Sequence, residues 1–273
     1  KEVTYLRNEL ERYHPFEEMV GKDKKMRKIF NLISTIAESD GTVLIQGESG
    51  TGKELVARAI HNRSHRRNQP FVVVNCAAIP ATLMESKIFG HNKGAFTGAS
   101  STSIGKLELA DTGTVFFDDI DLLDINMQAK LLRIIQEKEF EKVGGEIPIP
   151  IKARIITSTN RDLAEMVKQG TFRKDLYFRL KVVTIKTHNL NSRRADIPQL
   201  VVHLLAKINK ELHKNVNVVP FDVMEMLQNY NWVGNVRELE NILTQAVVLA
   251  KGNVLSKEYL ILKKDSDRKN LCL

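Results

Sequence analysis

A glycine-rich segment that ends in lysine is the clearest candidate for chemistry in this sequence. It reads Gly-Glu-Ser-Gly-Thr-Gly-Lys from Gly47 to Lys53, after an apolar run and before a helical pattern. In that setting backbone N–H groups and the helix N-terminus surround a phosphate, and the lysine reaches the outer phosphates of a nucleotide. Glu54 stands where a serine or threonine commonly holds Mg²⁺, so the metal must depend more on other ligands and on water. The predicted nucleotide-binding residues are Gly47, Glu48, Ser49, Gly50, Thr51, Gly52, Lys53 and Glu54.

Two adjacent carboxylates end a later apolar run, Val115-Phe-Phe-Asp118-Asp119. At the end of a buried strand, one carboxylate can hold Mg²⁺ while the other polarises a water for attack on a γ-phosphate. The pattern alone is weak, because it occurs by chance in many α/β proteins. Since it follows Lys53 by 65 residues in an alternating α/β chain, it favours a metal-dependent hydrolytic site.

Three polar positions leave the choice between structure and chemistry open. Asn160 ends another apolar run, where it can orient the attacking water or simply terminate a strand. Arg173 and Arg179 are six residues apart, which suits either surface salt bridges or stabilisation of a transition state.

A turn-and-cap pattern follows Trp232. Asn235 is predicted to be the N-cap of a helix, and Glu238 lies three residues later as in a capping box. Arg237 then falls in the first helical turn, where the helix dipole disfavours a cation. A cation in that position indicates an anionic partner.

The segment Gly94-Ala-Phe-Thr-Gly-Ala99 is unusual because two glycines bracket Phe96 and Thr97 among small residues. It is either a buried turn or a flexible loop that offers an aromatic side chain to a partner. Composition alone favours the buried turn.

Short apolar runs and helical patterns alternate along the first two thirds of the chain. Five runs, at 43–45, 71–74, 115–117, 155–157 and 182–185, are separated by helical patterns such as 53–61 and 127–136. This alternation predicts a parallel α/β sheet. Beyond about residue 195 only helical patterns follow, at 197–212, 222–230 and 236–249, which predicts a small helical domain. The first 14 residues are predicted to form an amphipathic helix that ends before Pro15.

Composition narrows the class of protein. With 42% hydrophobic and 27% charged residues, and with no apolar run of the ~18 residues that a membrane span needs, the chain is expected to be soluble, globular and cytoplasmic, without membrane contact. Two cysteines exclude a disulfide framework and a metal–thiolate site. The net charge of +8 suits a polyanion such as ATP or DNA but decides nothing alone. Because the first residue is lysine, we expect a fragment of a longer protein.

These motifs together resemble the central AAA+ ATPase domain of bacterial enhancer-binding proteins, the activators of sigma-54 RNA polymerase. The resemblance extends over about residues 20–262. It rests on the segments 47–54, Phe89-Gly-His, 94–99, Gln128-Ala-Lys-Leu-Leu-Arg133, 172–179 and Gly234-Asn-Val-Arg-Glu-Leu-Glu240.

The resemblance implies a P-loop NTPase fold with a parallel five-stranded sheet flanked by helices, followed by a helical lid. It divides the chain into a linker helix remnant (1–19), an α/β nucleotide-binding subdomain (20–190), a lid (191–262) and a tail (263–273). It further implies Mg²⁺-dependent hydrolysis of ATP, assembly into a ring, expected to be a hexamer, and remodelling of the closed promoter complex through sigma-54 and RNA polymerase. DNA contact would come only from domains outside this chain, and a two-component system is the implied setting.

The resemblance also implies a role for each matching residue. Lys53 would bind the phosphates and Asp118 would hold Mg²⁺. Asp119 would activate the attacking water, and Asn75 would be the switch partner of Asp119. Asn160 would sense the γ-phosphate, Arg173 and Arg179 would reach the neighbouring subunit's nucleotide, and Arg237 would sense nucleotide from the lid. Val20 and Gly21 would contact adenine through the main chain, and Phe96 and Thr97 would engage sigma-54.

Two other functions remain as alternatives. A AAA+ remodeller of DNA or of an unfolding substrate would have a pore loop of the aromatic-Val-Gly type in place of residues 94–99, and none is visible. A nucleotide-binding regulator without hydrolysis is favoured only by Asp119, which stands where the family usually has glutamate.

Overall fold

The computed structural model describes residues 18–262. Its contacts divide the chain into two compact units. The sheet unit comprises residues 28–48 and 52–187, and the helical unit comprises the described residues 18–27, 49–51 and 188–262. The division after residue 187 lies three residues before the predicted boundary after 190, and the predicted domain bounds stay a prediction. The predicted N-terminal helix and the tail 263–273 lie outside the described residues.

A five-stranded sheet forms the sheet unit's centre, with the strand order β2-β5-β8-β1-β9 and parallel pairing throughout. The prediction of a parallel sheet from five apolar runs is therefore confirmed. Two short antiparallel pairs, β3 with β4 and β6 with β7, were not predicted. The strands are β1 (Val43–Gln46), β2 (Phe71–Asn75), β3 (Gly90–His91), β4 (Ser103–Ile104), β5 (Thr114–Asp118), β6 (Glu139–Phe140), β7 (Ile149–Pro150), β8 (Arg154–Thr159) and β9 (Val183–Lys186).

Helices flank this sheet and make up most of the helical unit. The helices of the first part of the chain are α1 (Lys24–Ala37), α2 (Lys53–Asn62), α3 (Ala81–Phe89), α4 (Lys106–Leu109), α5 (Ile125–Glu137), α6 (Leu163–Lys168) and α7 (Lys174–Leu180). The helical unit contains α8 (Ile197–Leu212), α9 (Phe221–Asn229) and α10 (Asn235–Leu249). Within residues 18–262, no helix has both the length and the apolar composition of a membrane span.

Side chains of β5 alternate between the two faces of the sheet, as strand geometry requires. Val115 and Phe117 join one large apolar cluster with residues of α3, α5 and α7. Phe116 faces the other way and stacks on Phe71 of β2 with ring centroids 6.2 Å apart. The sheet is thus buried on both faces, and polar groups are left for the ends of its strands.

The strand order brings the predicted site motifs to one edge. Strand β8 lies between β5 and β1, with Phe117 paired to Thr157 and Gln46 paired to Thr159. The carboxyl ends of these three strands therefore lead into the acids, into Asn160 and into the glycine-rich segment. In parallel α/β sheets, ligands bind at this edge.

A buried arginine joins α1 to the sheet. Arg154 at the start of β8 is 2% exposed, and its guanidinium donates to the carbonyls of Ile36 (2.8 Å) and Ala37 (2.9 Å) at the C-terminus of α1. Burial lowers its pKa. The cation satisfies terminal carbonyls of a helix and lies at the negative end of its dipole.

We expect Arg154→Ala to destabilise the protein by about 2–4 kcal/mol, because the substitution leaves two buried carbonyls without donors and opens a cavity. Arg154→Lys should recover only part of the loss, since an ammonium cannot reproduce the two-pronged contact. Exposed Arg67→Ala is the matched control and should change stability by less than about 0.5 kcal/mol. Urea unfolding followed by circular dichroism measures the difference, and equal midpoints for the alanine variants would contradict this account of Arg154.

Trp232 is the centre of the helical unit's own core. It is fully buried, donates from Nε1 to the carbonyl of Leu227 (2.9 Å), and packs edge-on against Tyr230. Around it lie apolar residues of α8, α9 and α10, so the three predicted C-terminal helices are confirmed as one packed domain.

Candidate nucleotide-binding and hydrolysis site

The lysine of the glycine-rich segment folds back over that segment. Lys53 is the first residue of α2 and is 8% exposed. Its Nζ donates to the carbonyl of Gly47 (3.1 Å) and lies 3.8 Å from Asp119 Oδ1. The ammonium of Lys53 therefore lies between the glycine-rich segment and an acid. A terminal phosphate of a bound nucleotide would replace these two groups as the partner of the lysine.

Gly47 has no room for a side chain. A Cβ atom there would lie 1.9 Å from Thr187 Oγ1, and the Gly47 N–H donates to the carbonyl of Thr159 (3.1 Å). The first residue of the segment is thus held between β8 and the residue after β9. This close approach explains why glycine is required at position 47.

The two acids have different backbone roles. Asp118 is the last residue of β5, whereas Asp119 has the left-handed conformation (φ 56°) and caps a 3₁₀ turn, Ile120–Leu122. Ser158 connects them, because it accepts from the Asp119 N–H (3.1 Å) and donates its hydroxyl to Asp118 Oδ1. A left-handed non-glycine residue is uncommon and costs energy, as is often found where a side chain is aimed at a functional site.

The pKa of Cys76 reflects its burial beside the acids of this region. It is a buried free cysteine that follows β2. Burial, together with the negative charges of Asp118, Asp119 and Asp121, raises the pKa of its thiol to about 12. The thiol stays protonated at neutral pH, so Cys76 is a core residue here and not a nucleophile.

Asn75 ends β2 directly beside Asp118 in the sheet register. Its side-chain oxygen accepts from the N–H groups of Ala77 (3.0 Å) and Ala78 (3.1 Å), so it shapes the turn after the strand. The predicted switch pairing with Asp119 stays a prediction.

Asn160 follows the last residue of β8 and is exposed. Its backbone N–H lies 3.4 Å from Asp121 Oδ1. The carbonyl of Thr159, the residue before Asn160, accepts from the Gly47 N–H. Asn160 therefore follows directly after a residue that contacts the start of the glycine-rich segment. The γ-phosphate role of its side chain also stays a prediction.

The two predicted arginines lie at opposite ends of α7. Arg173 caps the helix and makes a two-pronged ion pair with Asp175, at 2.8 and 3.1 Å. This contact lowers the pKa of Asp175. Arg179 is exposed in the last turn, beside Phe178, which is 61% exposed. Water screens an ion pair of this exposed kind so that it contributes little to stability, and Arg173 can exchange it for another anion.

In the helical unit, a buried carboxylate holds the segment that includes Val20 and Gly21. Asp196 is fully buried and accepts from the N–H groups of Lys22 (2.8 Å) and Asp23 (2.9 Å). A Cβ atom on Gly21 would lie 2.7 Å from Met26 Cγ. The main chain at 20–23 is therefore fixed in place.

The middle of the glycine-rich segment, residues 49–51, belongs by its contacts to the helical unit. Asn235 Nδ2 donates to the Ser49 carbonyl (3.0 Å), and Arg237 donates to the Ser49 hydroxyl (2.9 Å). The Val236 N–H donates to the Gly50 carbonyl (3.0 Å). Arg237, predicted to face an anion, thus lies against a residue of the predicted phosphate loop.

The prediction that Asn235 is the N-cap of α10 is wrong. Gly234 is the N-cap, and Asn235 has the left-handed conformation (φ 53°). The Asn235 side chain accepts from the Leu190 N–H in addition to its contact with Ser49, so tertiary hydrogen bonds take the place of a cap. Glu238 accepts from the Gly234 N–H (2.9 Å), but it lies four residues after this N-cap, one residue beyond the spacing of the predicted capping box.

The segment Gly94–Ala99 is a closed turn, since the Gly94 N–H donates to the Ala99 carbonyl (2.8 Å). It is not the buried turn that composition favoured. Phe96 is 41% exposed with its ring edge-on to His91 at 5.0 Å, and Thr97 is exposed. Gly94 and Gly98 have positive φ, and a Cβ atom on either would meet no neighbour within 4 Å. The glycines are therefore required by conformation and not by crowding.

Comparison with known families matches this geometry. Residues 19–186 match the model of the sigma-54 interaction domain, and residues 191–270 match an AAA+ ATPase lid domain. The chain belongs to the sigma-54 interaction domain family. The two matched ranges meet near the division between the sheet unit and the helical unit.

Relatives of this sigma-54 interaction domain include transcriptional activators. The chain is 48% identical over 240 residues to the formate hydrogenlyase transcriptional activator FhlA of Escherichia coli, which covers 88% of this chain and 35% of the relative. It is 46% identical over 258 residues to the Nif-specific regulatory protein of Azotobacter vinelandii, covering 94% of this chain and 49% of the relative. The chain thus spans between a third and a half of the length of these relatives.

Solved structures share the fold of this domain. NtrX from Brucella abortus superposes with a TM-score of 0.83 and 33% identity over all of this chain and 62% of that one, both in its complex with ADP and in its complex with ATP. The AAA+ fold with a C-terminal lid is therefore established for this chain.

Several polar residues that contact the predicted site residues escaped the sequence analysis. Ser158 and Asp121 contact the acids and the residues that end β8, and Asp196 holds the segment near Val20. Each is a polar residue beside an apolar run, which is a signal too common to select them. Only the tertiary structure shows which groups Ser158, Asp121 and Asp196 contact.

Proposed function

We propose that this chain hydrolyses ATP to ADP and phosphate with Mg²⁺, and that the intact protein uses this reaction to activate transcription by sigma-54 RNA polymerase. The position of Lys53, 3.1 Å from the Gly47 carbonyl and 3.8 Å from Asp119, is the observation that carries the proposal. It joins a phosphate-binding cation to an acid at the ligand edge of the sheet.

The donor set fits a magnesium ion. Asp118 is a half-buried carboxylate at a strand end whose Oδ1 accepts from Ser158, and this acid would hold the cation. Carboxylate oxygen is a ligand that Mg²⁺ prefers, together with waters and phosphate oxygens. Bound there, the ion would neutralise charge on the β- and γ-phosphates.

The protein's own groups supply the rest of the chemistry. Lys53 and the N-terminus of α2 stabilise negative charge on the outer phosphates. Asp119 accepts a proton from the attacking water, whose oxygen forms the new bond to the γ-phosphorus while the bond to the β–γ bridging oxygen breaks. Asn160 orients that water, and Asn75 acts as the switch partner of Asp119.

Arg173 and Arg179 act on the nucleotide of a neighbouring subunit in a ring, expected to be a hexamer. Exposure of Arg179 and the weak surface pairing of Arg173 support this, because a residue that acts in trans must be reachable by a second copy of the chain. Arg237, Val20 and Gly21 are the further residues proposed to contact the nucleotide.

The exposed turn at 94–99 engages sigma-54 through Phe96 and Thr97 and remodels the closed promoter complex. This places the protein in the cytoplasm with RNA polymerase and leaves DNA contact to other domains. A two-component system is the proposed regulatory setting.

Phe96→Ala and Thr97→Ala are expected to keep ATP turnover within about threefold of the wild type, since both side chains are exposed and the ring of Phe96 packs against His91. Binding to sigma-54 in ADP with aluminium fluoride, and promoter opening, should be lost. Co-migration in native gels and phosphate release on the same samples measure both effects. Phe221→Ala is the matched control, because Phe221 is 82% exposed but lies in the helical unit. Retained sigma-54 binding in both loop variants would reject this function in favour of a general remodeller.

A further inference from the structure

Asp121 is a buried carboxylate that the proposed chemistry does not use. It lies two residues after Asp119, in the 3₁₀ turn, and its side chain has no exposed surface. Its Oδ1 accepts from the Thr159 hydroxyl (2.7 Å) and faces the Asn160 N–H at 3.4 Å. One oxygen of Asp121 thus contacts both residues at the end of β8.

The second oxygen shows that Asp121 is not there for packing alone. Among the described residues, Oδ2 accepts no hydrogen bond, and the cation beside it is Arg161, whose Nε is 3.7 Å away and whose side chain is 61% exposed. A buried carboxylate that is only partly satisfied destabilises a fold relative to an apolar residue of the same size.

Two parallel connections join the same two segments. Asp118 accepts from Ser158, and Asp121 accepts from Thr159 one residue further along β8. On its other side, the end of β8 is held by Gly47, which donates to the Thr159 carbonyl, and by Gln46, which donates to the Arg161 carbonyl (3.3 Å). The backbone at Asn160 is therefore held between Asp121 on one side and Gln46 and Gly47 on the other.

We propose that Asp121 is a positioning residue for hydrolysis, which holds Asn160 in a fixed position relative to Asp118 and Asp119. The proposal rests on the proposed function, because it assigns Asn160 to the attacking water. Removing the carboxylate leaves phosphate binding by Lys53 intact and lets the asparagine drift. Misplacement by about 1 Å can lower turnover by about 100-fold without weakening binding.

The test uses steady-state ATP hydrolysis by the 273-residue chain with Mg²⁺. Asp121→Ala should lower kcat by about 10- to 100-fold and leave KM within about twofold. Asp121→Asn keeps the accepting oxygen and should restore kcat to within about threefold of the wild type. Thr157→Val is the matched control: this fully buried threonine of β8 donates to the Val43 carbonyl and does not bond to Asp121.

Asn160→Ala separates positioning from general stability. That variant keeps the backbone N–H and removes the side chain, so adding Asp121→Ala to it should lower kcat no further, while the losses in melting temperature should still add. Two results would overturn the proposal while the ATPase function stands. One is an equal kcat in Asp121→Ala and Thr157→Val, and the other is a further loss of kcat when Asp121→Ala is added to Asn160→Ala. A wild-type chain without ATP hydrolysis would overturn both.

Discussion

Alanine in place of Arg179 is expected to lower ATP turnover by roughly 10³- to 10⁵-fold, the range known for arginines that stabilise the transition state of phosphoryl transfer. The guanidinium is exposed at the end of α7, on the outside of its own subunit. Because it would act on a neighbour's nucleotide, activity per subunit should also rise with protein concentration in the wild type. Phosphate release at several concentrations measures both quantities, with exposed Arg67→Ala as the control.

Mixing variants tests whether the site is shared. Subunits with Arg179→Ala retain the acids, and subunits with Asp118→Ala retain the arginine, so some interfaces in a mixed ring contain both intact halves. Hydrolysis should then recover in part. The absence of recovery at every mixing ratio would indicate a site completed within one chain.

Lys53→Ala is expected to weaken ATP binding by roughly 100-fold, which corresponds to about 3 kcal/mol for one partner of a buried charge pair. The ammonium is 8% exposed and lies between the Gly47 carbonyl and Asp119, so no other cation or water replaces it easily. Asp118→Ala should instead bind ATP and hardly cleave it, because the proposed Mg²⁺ site would lose its carboxylate from β5.

Isothermal titration with and without Mg²⁺ measures the binding, and phosphate release measures the cleavage. Exposed Lys152→Ala is the control for Lys53. Wild-type turnover in Asp118→Ala would show that the metal is held elsewhere. Unchanged ATP affinity in Lys53→Ala would contradict the phosphate-binding role of the lysine.

Local patterns were sufficient for much of this protein. Short apolar runs predicted the five strands, and helical spacing predicted α2, α5, α8, α9 and α10 but not α1, because an element is visible in the sequence only where its buried side chains repeat with a clear period. The segment from Gly47 to Lys53 indicated nucleotide binding because its glycines and lysine act through adjacent backbone groups. The family was recognisable for the same reason, since its motifs are contiguous.

Only the tertiary structure decided which residues share the site. The order of β5, β8 and β1 brings Asp118, Asn160 and Gly47 to one edge, and strand order depends on contacts between residues far apart in sequence. The exposure of Phe96 was likewise decided by what packs around it, where composition had favoured burial. Asn235 is not the expected N-cap, because its hydrogen bonds with Ser49 and Leu190 outweigh the N-cap preference of asparagine, which is worth about 1 kcal/mol. The sequence therefore determined the elements and the chemistry of their motifs, whereas the partners of each polar group followed from packing, since a side chain's spacing does not record what it meets across the fold.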